Sequence, residues 1–236
     1  LLFNDMTLDE TVLLVSRAGR ANCWRYVVTP NAAHLGRLRR QALTEPTIYD
    51  NAWLRLLDSR VIAATARLAG LRPPRVVTGA DLVAKLLLSA PRADRLCIVG
   101  CASSVVERLR SRFGLSNISH FNPSHGFWRC SAELEEAARF VIESQASLTF
   151  LALGSPQQEI LADLIMKMGG ARGVGICCGA AVEFAAGAKA RAPVVLQRLC
   201  LEWAFRLCAE PRRMARRYFV ESPHGIAMVL REAIDP

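Results

Sequence analysis

Short apolar runs alternate with stretches of helical period over the first 190 residues. Residues 7–18 carry apolar positions at helical spacing, and Thr7 with Glu10 has the spacing of a capping box. Residues 24–28 (WRYVV) read as a strand closed by Thr29-Pro30-Asn31, before a helix over 32–43. Residues 47–57 alternate apolar and aromatic positions and end at Asp58-Ser59. A helix over 61–69 is stopped by Gly70, and Pro73-Pro74 prevents its continuation. Thr78-Gly79-Ala80-Asp81 opens another helix, to about residue 89. A buried strand at 96–99 leads through Gly100 into a helix over 103–113, capped by Ser103 or Ser104. A strand at 118–121, a loop at 122–128 and a helix over 131–144 capped by Ser131 follow. The apolar run from Leu148 passes through Gly154-Ser155-Pro156 into a helix from Gln157 to about Met168, and 173–178 is the last central strand. Strands alternating with helices predict an α/β fold: a mostly parallel, Rossmann-like sheet flanked by helices.

The pattern changes after Gly187. Residues 189–219 carry eight Lys or Arg and two acids. A helix at roughly 194–209, then Pro211, then a second Arg-rich helix are expected there. This divides the chain into a core over 1–187 and a basic helical appendage over 188–236. Trp203 and Phe205 lie too close in sequence to share one helix face, so one of them is expected at the surface or on a partner.

Composition narrows the classes. A chain of 236 residues, 52% hydrophobic, is long enough to bury a full core. Its net charge of +9 points to an acidic partner: nucleic acid, anionic lipid or a phosphorylated ligand. The arginine-rich, aromatic-bearing tail suits an anionic membrane surface and equally a diphosphate, whose oxygens match the guanidinium fork. Its bland reading is an amphipathic helix with solvated arginines. Eight cysteines form no CxxC pair, which argues against zinc and for a reducing compartment. No run of about 18 apolar residues predicts a membrane span. No signal peptide is visible, and since the chain starts at Leu1 its natural N-terminus can lie upstream.

Candidate chemistry gathers at the turns that end strands, where open α/β sheets bind ligands. Thr29 and Asn31 read alone as an ordinary turn. Ser59 or Asp58 reads as the cap of the following helix, with a general base as the alternative for Asp58. Glu183 sits in an apolar segment, where a carboxylate needs a ligand hydroxyl or a nearby arginine. The turn after residue 100 has no G-x-G-x-x-G and no GK[ST], so dinucleotide and P-loop readings are weak.

Taken together the turns resemble the WecG/TagA/CpsF glycosyltransferases, glycosyltransferase family 26. The matching stretches are Thr29-Pro30-Asn31, Asp58 with the Gly70-Leu71 helix end, Thr78-Gly79-Ala80-Asp81-Leu82, and His125-Gly126-Phe127. They continue with Leu153-Gly154-Ser155-Pro156-Gln157-Gln158-Glu159, the stretch from Gly179 to Gly187, and Arg191-Ala192-Pro193. Leu201-Glu202-Trp203, Arg206-Leu207, Glu210-Pro211-x-Arg213 and Arg216-Arg217-Tyr218 close the set. The chain departs from the family at Ser59, Val182, Glu183 and Cys101-Ala102-Ser103-Ser104.

The resemblance implies inverting transfer of a sugar from a UDP-sugar to a polyprenyl-diphosphate-linked glycan, in cell-surface polysaccharide synthesis. It implies no metal and no other cofactor, and a peripheral place on the cytoplasmic face of the bacterial membrane. Asp58 is the implied base. Thr29, Asn31, Arg75, Thr78, Gly126, Gln158, Glu159 and Glu183 are implied substrate-binding residues. Arg206, Arg213, Arg216 and Arg217 match the basic tail, which is expected to cover the site and meet the membrane. Nucleic acid is not an expected partner; a homo-oligomer is compatible with the apolar helix faces. The competing reading is a non-catalytic basic module for anionic surfaces or nucleic acid.

Overall fold

The computed structural model describes residues 2–39 and 46–234. The expected helix over 32–43 is seen as α2 (Ala32–Arg39); the rest of that stretch lies outside the described residues. The elements in order are α1 (Leu8–Ala18), β1 (Trp24–Val28), α2, α3 (Pro46–Asp50), β2 (Leu54–Arg55), α4 (Arg60–Leu68) and α5 (Gly79–Ser89). Then come β3 (Leu96–Gly100), α6 (Ser103–Phe113), β4 (Ile118–Phe121), α7 (Ser131–Ser144), β5 (Leu148–Ala152), α8 (Gln157–Met168), β6 (Gly173–Cys177) and α9 (Ala181–Ala185). The C-terminal helices are α10 (Val194–Arg198), α11 (Glu202–Ala209), α12 (Pro211–Arg216) and α13 (Ser222–Ile234).

Six strands form one parallel sheet in the order β2-β1-β6-β5-β3-β4. Parallel strands are covered on both faces, so successive residues feed two cores. Val27, Ile98, Phe150 and Ile176 pack with α1, α5, α6 and α9 on one side. Tyr26, Val28, Val99 and Leu151 pack with α7 and α8 on the other. This is the predicted Rossmann-like α/β architecture.

Local chemistry sets the helix ends, with some differences from expectation. Thr7 and Glu10 form the capping box. Ser59 caps α4, its hydroxyl accepting from the Ile62 N–H at 3.1 Å, and Thr78 caps α5 through Asp81 N–H. α6 and α7 begin without a side-chain cap, so Ser103, Ser104 and Ser131 do not have the capping role expected of them. The helix expected over 194–209 is two: Cys200 adopts φ +60° and separates α10 from α11. Cys97, Cys177 and Cys178 are buried, whereas Cys23, Cys130 and Cys208 are exposed.

The last helix returns to α2 and α4. Ile226, Met228 and Val229 of α13 pack on Leu35 of α2 and Ile62 and Ala63 of α4. The approach depends on two glycines. A Cβ on Gly36 would overlap the Glu221 carbonyl, and one on Gly225 would overlap the Ala32 carbonyl.

Candidate functional site

The carboxyl ends of β1, β5 and β6 open into a cavity of about 820 Å³, roofed by α11, α12 and the turn Arg217–Glu221. A cavity of that size lies within the range used for small-molecule ligands, roughly 300–1,000 Å³. It brings together Thr29, Asn31, Asp58, Thr78, Gln158, Glu183, Arg206, Arg213, Arg216 and Arg217.

The sheet side is wired to backbone. Thr29 Oγ1 donates to the Cys177 carbonyl at 3.2 Å, tying the end of β1 to the end of β6. Asn31 Oδ1 accepts from the Ala33 N–H at 3.2 Å, while the Asn31 N–H donates to His34 Nδ1 at 3.1 Å. The bond to Nδ1 fixes a neutral His34, and burial, with Arg37 and Arg217 nearby, holds its pKa well below the usual value.

Asp58 continues the β1–β2 pairing, its N–H reaching the Pro30 carbonyl at 2.9 Å. Ser59, not Asp58, caps the following helix. The Asp58 side chain turns instead to α5 and accepts from the Gly79 N–H at 3.1 Å. Gly79 itself is tightly placed: a Cβ there would sit 3.2 Å from Thr29 Oγ1. Burial pushes the Asp58 pKa up to about 6. The Gly79 bond opposes that shift, the Glu202 carboxylate adds to it, and Arg217 and Arg206 oppose it.

Gln158 bridges two loops. Its Oε1 accepts from the Gly179 N–H at 2.8 Å and its Nε2 donates to Glu159 Oε1 at 2.9 Å. Glu159 is 1% exposed and lies in the floor beneath Gln158, 3.6 Å from His34 Nε2. Burial raises its pKa, the direction expected of a carboxyl outside water. The structure thus places Glu159 behind the cavity wall, where it holds Gln158.

The C-terminal side supplies the charge. Arg206 and Arg217 have no carboxylate within ion-pair distance among the described residues. Arg206 lies over the Phe184 ring, 5.5 Å from its centroid. Burial, then the neighbouring Arg206, lower the Arg217 pKa. Arg213 pairs with Glu210 at 2.5 Å, and Arg216 reaches Glu221 at 3.9 Å. Glu183 is held by Lys189 at 2.9 Å, not by the arginine considered from sequence.

Two expected residues are elsewhere. Arg75 pairs with Asp5 at 3.2 Å and Glu10 at 3.6 Å, outside the cavity lining. Gly126, φ +86°, lies in the loop after β4 and does not line it either. Several lining residues carried no sequence signal of their own. Arg37 donates to Glu221 at 2.7 Å and to Ser155 Oγ at 2.9 Å. Arg60, also on the lining, stands 3.9 Å from both Asp81 and Glu202; Arg191, from the Arg191-Ala192-Pro193 match, is not on the lining and donates to Asp81 at 2.5 Å beside Thr78. These pairings join positions far apart in the chain, which local pattern does not show.

A carboxyl group with a raised pKa, helix N-termini and unpaired guanidinium groups on one strand-end cavity define an α/β protein built to handle an anionic ligand. The chain belongs to the glycosyl transferase WecG/TagA/CpsF family, whose family model matches residues 1–236, the whole chain. It is therefore a glycosyltransferase, with a sugar donor and an acceptor as its substrates.

Proposed function

We propose that this glycosyltransferase moves a sugar, with inversion, from a UDP-sugar to a polyprenyl-diphosphate-linked glycan in cell-surface polysaccharide synthesis. The observation that carries the reading is the meeting of Asp58 with Arg206 and Arg217 on one cavity. Asp58, its pKa pushed up to about 6, is ionised near neutral pH and basic enough to take a proton. The acceptor hydroxyl attacks the anomeric carbon from the face opposite the leaving group and gives its proton to Asp58. The bond from that carbon to the diphosphate oxygen breaks, and UDP leaves with the electron pair. Arg206 and Arg217 meet the charge that develops on the diphosphate. The arginines give that charge a partner without a metal. Thr29, Asn31 and Gln158 shape the opposite wall.

The exposed face of the tail supports a peripheral place on the cytoplasmic side of the membrane. Val194, Val195, Leu199 and Phe219 are exposed, beside Arg198, Arg212 and Arg216. Apolar and arginine side chains together suit an anionic lipid surface. No helix among the described residues is long and apolar enough to cross a membrane.

Asp58→Asn tests the reading. It should bind UDP as wild type does, scored by thermal shift, and lose transfer from a panel of UDP-sugars to a lipid-diphosphate acceptor. Full transfer by this variant removes Asp58 from the mechanism. Salt-dependent RNA or DNA binding with no UDP-dependent shift favours the basic-module reading instead.

A further inference from the structure

Two neighbours on α11 face the cavity and have no role in donor binding or proton transfer: Glu202 and Trp203. Trp203 is 38% exposed, and it meets Tyr218 edge-on with centroids 6.0 Å apart. Ring surface therefore stays open. This indole is the aromatic that the sequence could not place on the same helix face as Phe205. No hydrogen bond reaches the Glu202 carboxylate among the described residues, and its cation, Arg60, is at 3.9 Å. Its oxygens are available as acceptors.

A helix dipole accounts for an acid in the first turn of α11. It does not account for placing that acid in the same cavity as a second carboxylate. The charge of Glu202 bears on Asp58 and raises its pKa, an arrangement that disfavours the Asp58 anion. A ligand offering hydrogen-bond donors relieves that cost. A diphosphate does not, because it is repelled. A sugar does: it presents hydroxyl donors on adjacent carbons and an apolar C–H face that packs on an aromatic ring.

Building on the transfer reaction above, we propose that Glu202 and Trp203 form the subsite for the acceptor saccharide. Glu202 accepts from the hydroxyls flanking the attacking one, and Trp203 packs on the ring. Asp58 fixes the position of the attacking hydroxyl, so its neighbours on the ring lie within a few ångström of the base. The approach also fits a lipid-linked acceptor. α10 precedes α11 in the chain, and it exposes Val194 and Val195 at 60 and 66%, with Leu199 at its end exposed at 62%.

The test uses the full chain and a short-chain prenyl diphosphate bearing one N-acetylhexosamine. Binding is followed by isothermal titration calorimetry, which needs neither turnover nor the Trp203 indole as a reporter, and transfer rates are read at saturating UDP-sugar. Glu202→Gln and Trp203→Leu are expected to weaken acceptor binding and raise the acceptor KM about tenfold, the loss of roughly one good contact. Donor KM and the UDP thermal shift should stay within about twofold. Glu202→Asp and Trp203→Phe should recover part of the loss, which a purely structural role would not produce. Acceptor binding unchanged in both variants overturns the subsite. A change confined to donor KM overturns it too, by moving the pair to the donor sugar. A wild-type chain that shows no UDP shift yet binds the saccharide through Trp203 sinks the transfer reading and leaves the subsite standing.

Discussion

The two walls of the cavity are built differently. On the sheet side, Thr29, Asp58 and Gln158 bond to backbone groups of neighbouring segments, and Thr78 accepts from the Asp81 N–H of its own helix. On the C-terminal side, charge is held by side chains: Glu221 pairs with Arg216 and with Arg37 of α2, Glu210 pairs with Arg213, and Arg206 and Arg217 lie over aromatic rings with no carboxylate partner among the described residues. Backbone bonds at the ends of packed strands cannot shift without unpairing the sheet. Arg213 and Arg216 are exposed, and exposed ion pairs are worth about 0–1 kcal/mol and exchange readily for a phosphate, whereas the Arg37–Glu221 pair is largely buried. The sheet wall therefore fixes geometry, and the helical wall supplies charge that a ligand can reorganise.

The largest expected effect tests the fixed wall. Asp58→Asn should lower transfer by about 10²–10⁴-fold, the usual worth of a positioned general base. Its pH behaviour sharpens the point. Activity of the wild type should fall about tenfold per pH unit below about 6, where Asp58 takes up a proton. The stability sign runs the other way. A carboxyl whose folded pKa lies above its unfolded value loses stability as pH rises from about 4 to about 6. Asp58→Asn should therefore be at least as stable as wild type at pH 7, by chemical denaturation, while inactive. A variant both inactive and unstable would place Asp58 in the fold and not in the reaction.

The helical wall is tested next. Arg217→Ala should weaken UDP binding by about 10–100-fold, the cost of one or two charge-assisted bonds, and that loss should shrink as salt rises. Equal loss of fold stability would mean that Arg217 is a packing residue. Gly36→Ala is directed at the seam between the walls. It should cost about 1–3 kcal/mol in denaturant unfolding, because the methyl group collides with the Glu221 carbonyl under α13. UDP affinity should fall with it, since α13 and the turn bearing Arg217 are adjacent in the chain. The smallest effect belongs to Arg75→Ala. Its guanidinium is exposed and paired with surface acids, so activity should stay within about twofold and stability within about 0.5 kcal/mol. A large loss of UDP binding would return Arg75 to the site.

Most of the sheet was legible because each element announced itself locally. Trp24–Val28 is a five-residue run, apolar and aromatic but for Arg25, and Thr7 with Glu10 is a capping box within four residues. The strand-end turns were legible for the same reason: Thr29, Asn31, Asp58 and Gln158 all stand one to six residues past a strand. The tail was harder. A break at Cys200 needs φ +60°, which no glycine marks. The sequence reading assigned no helix to residues 222–234, which form α13 and pack on α2 and α4.

By itself, then, the sequence determined the alternation of strands and helices, the two-sided burial of the strands, and which turns carry polar groups. These follow from periodicity and from caps, which act over a few residues. Only the tertiary structure decided that Asp58 turns away from its own helix to Gly79, that Glu159 lies under Gln158, and that Arg75 and Gly126 stand apart. It also decided that Glu202 and Trp203 share the cavity of the base. Apart from the neighbours Gln158 and Glu159, those relations join residues from about 20 to more than 140 positions apart. They depend on how strands are ordered in the sheet and on where a returning helix finds room to pack.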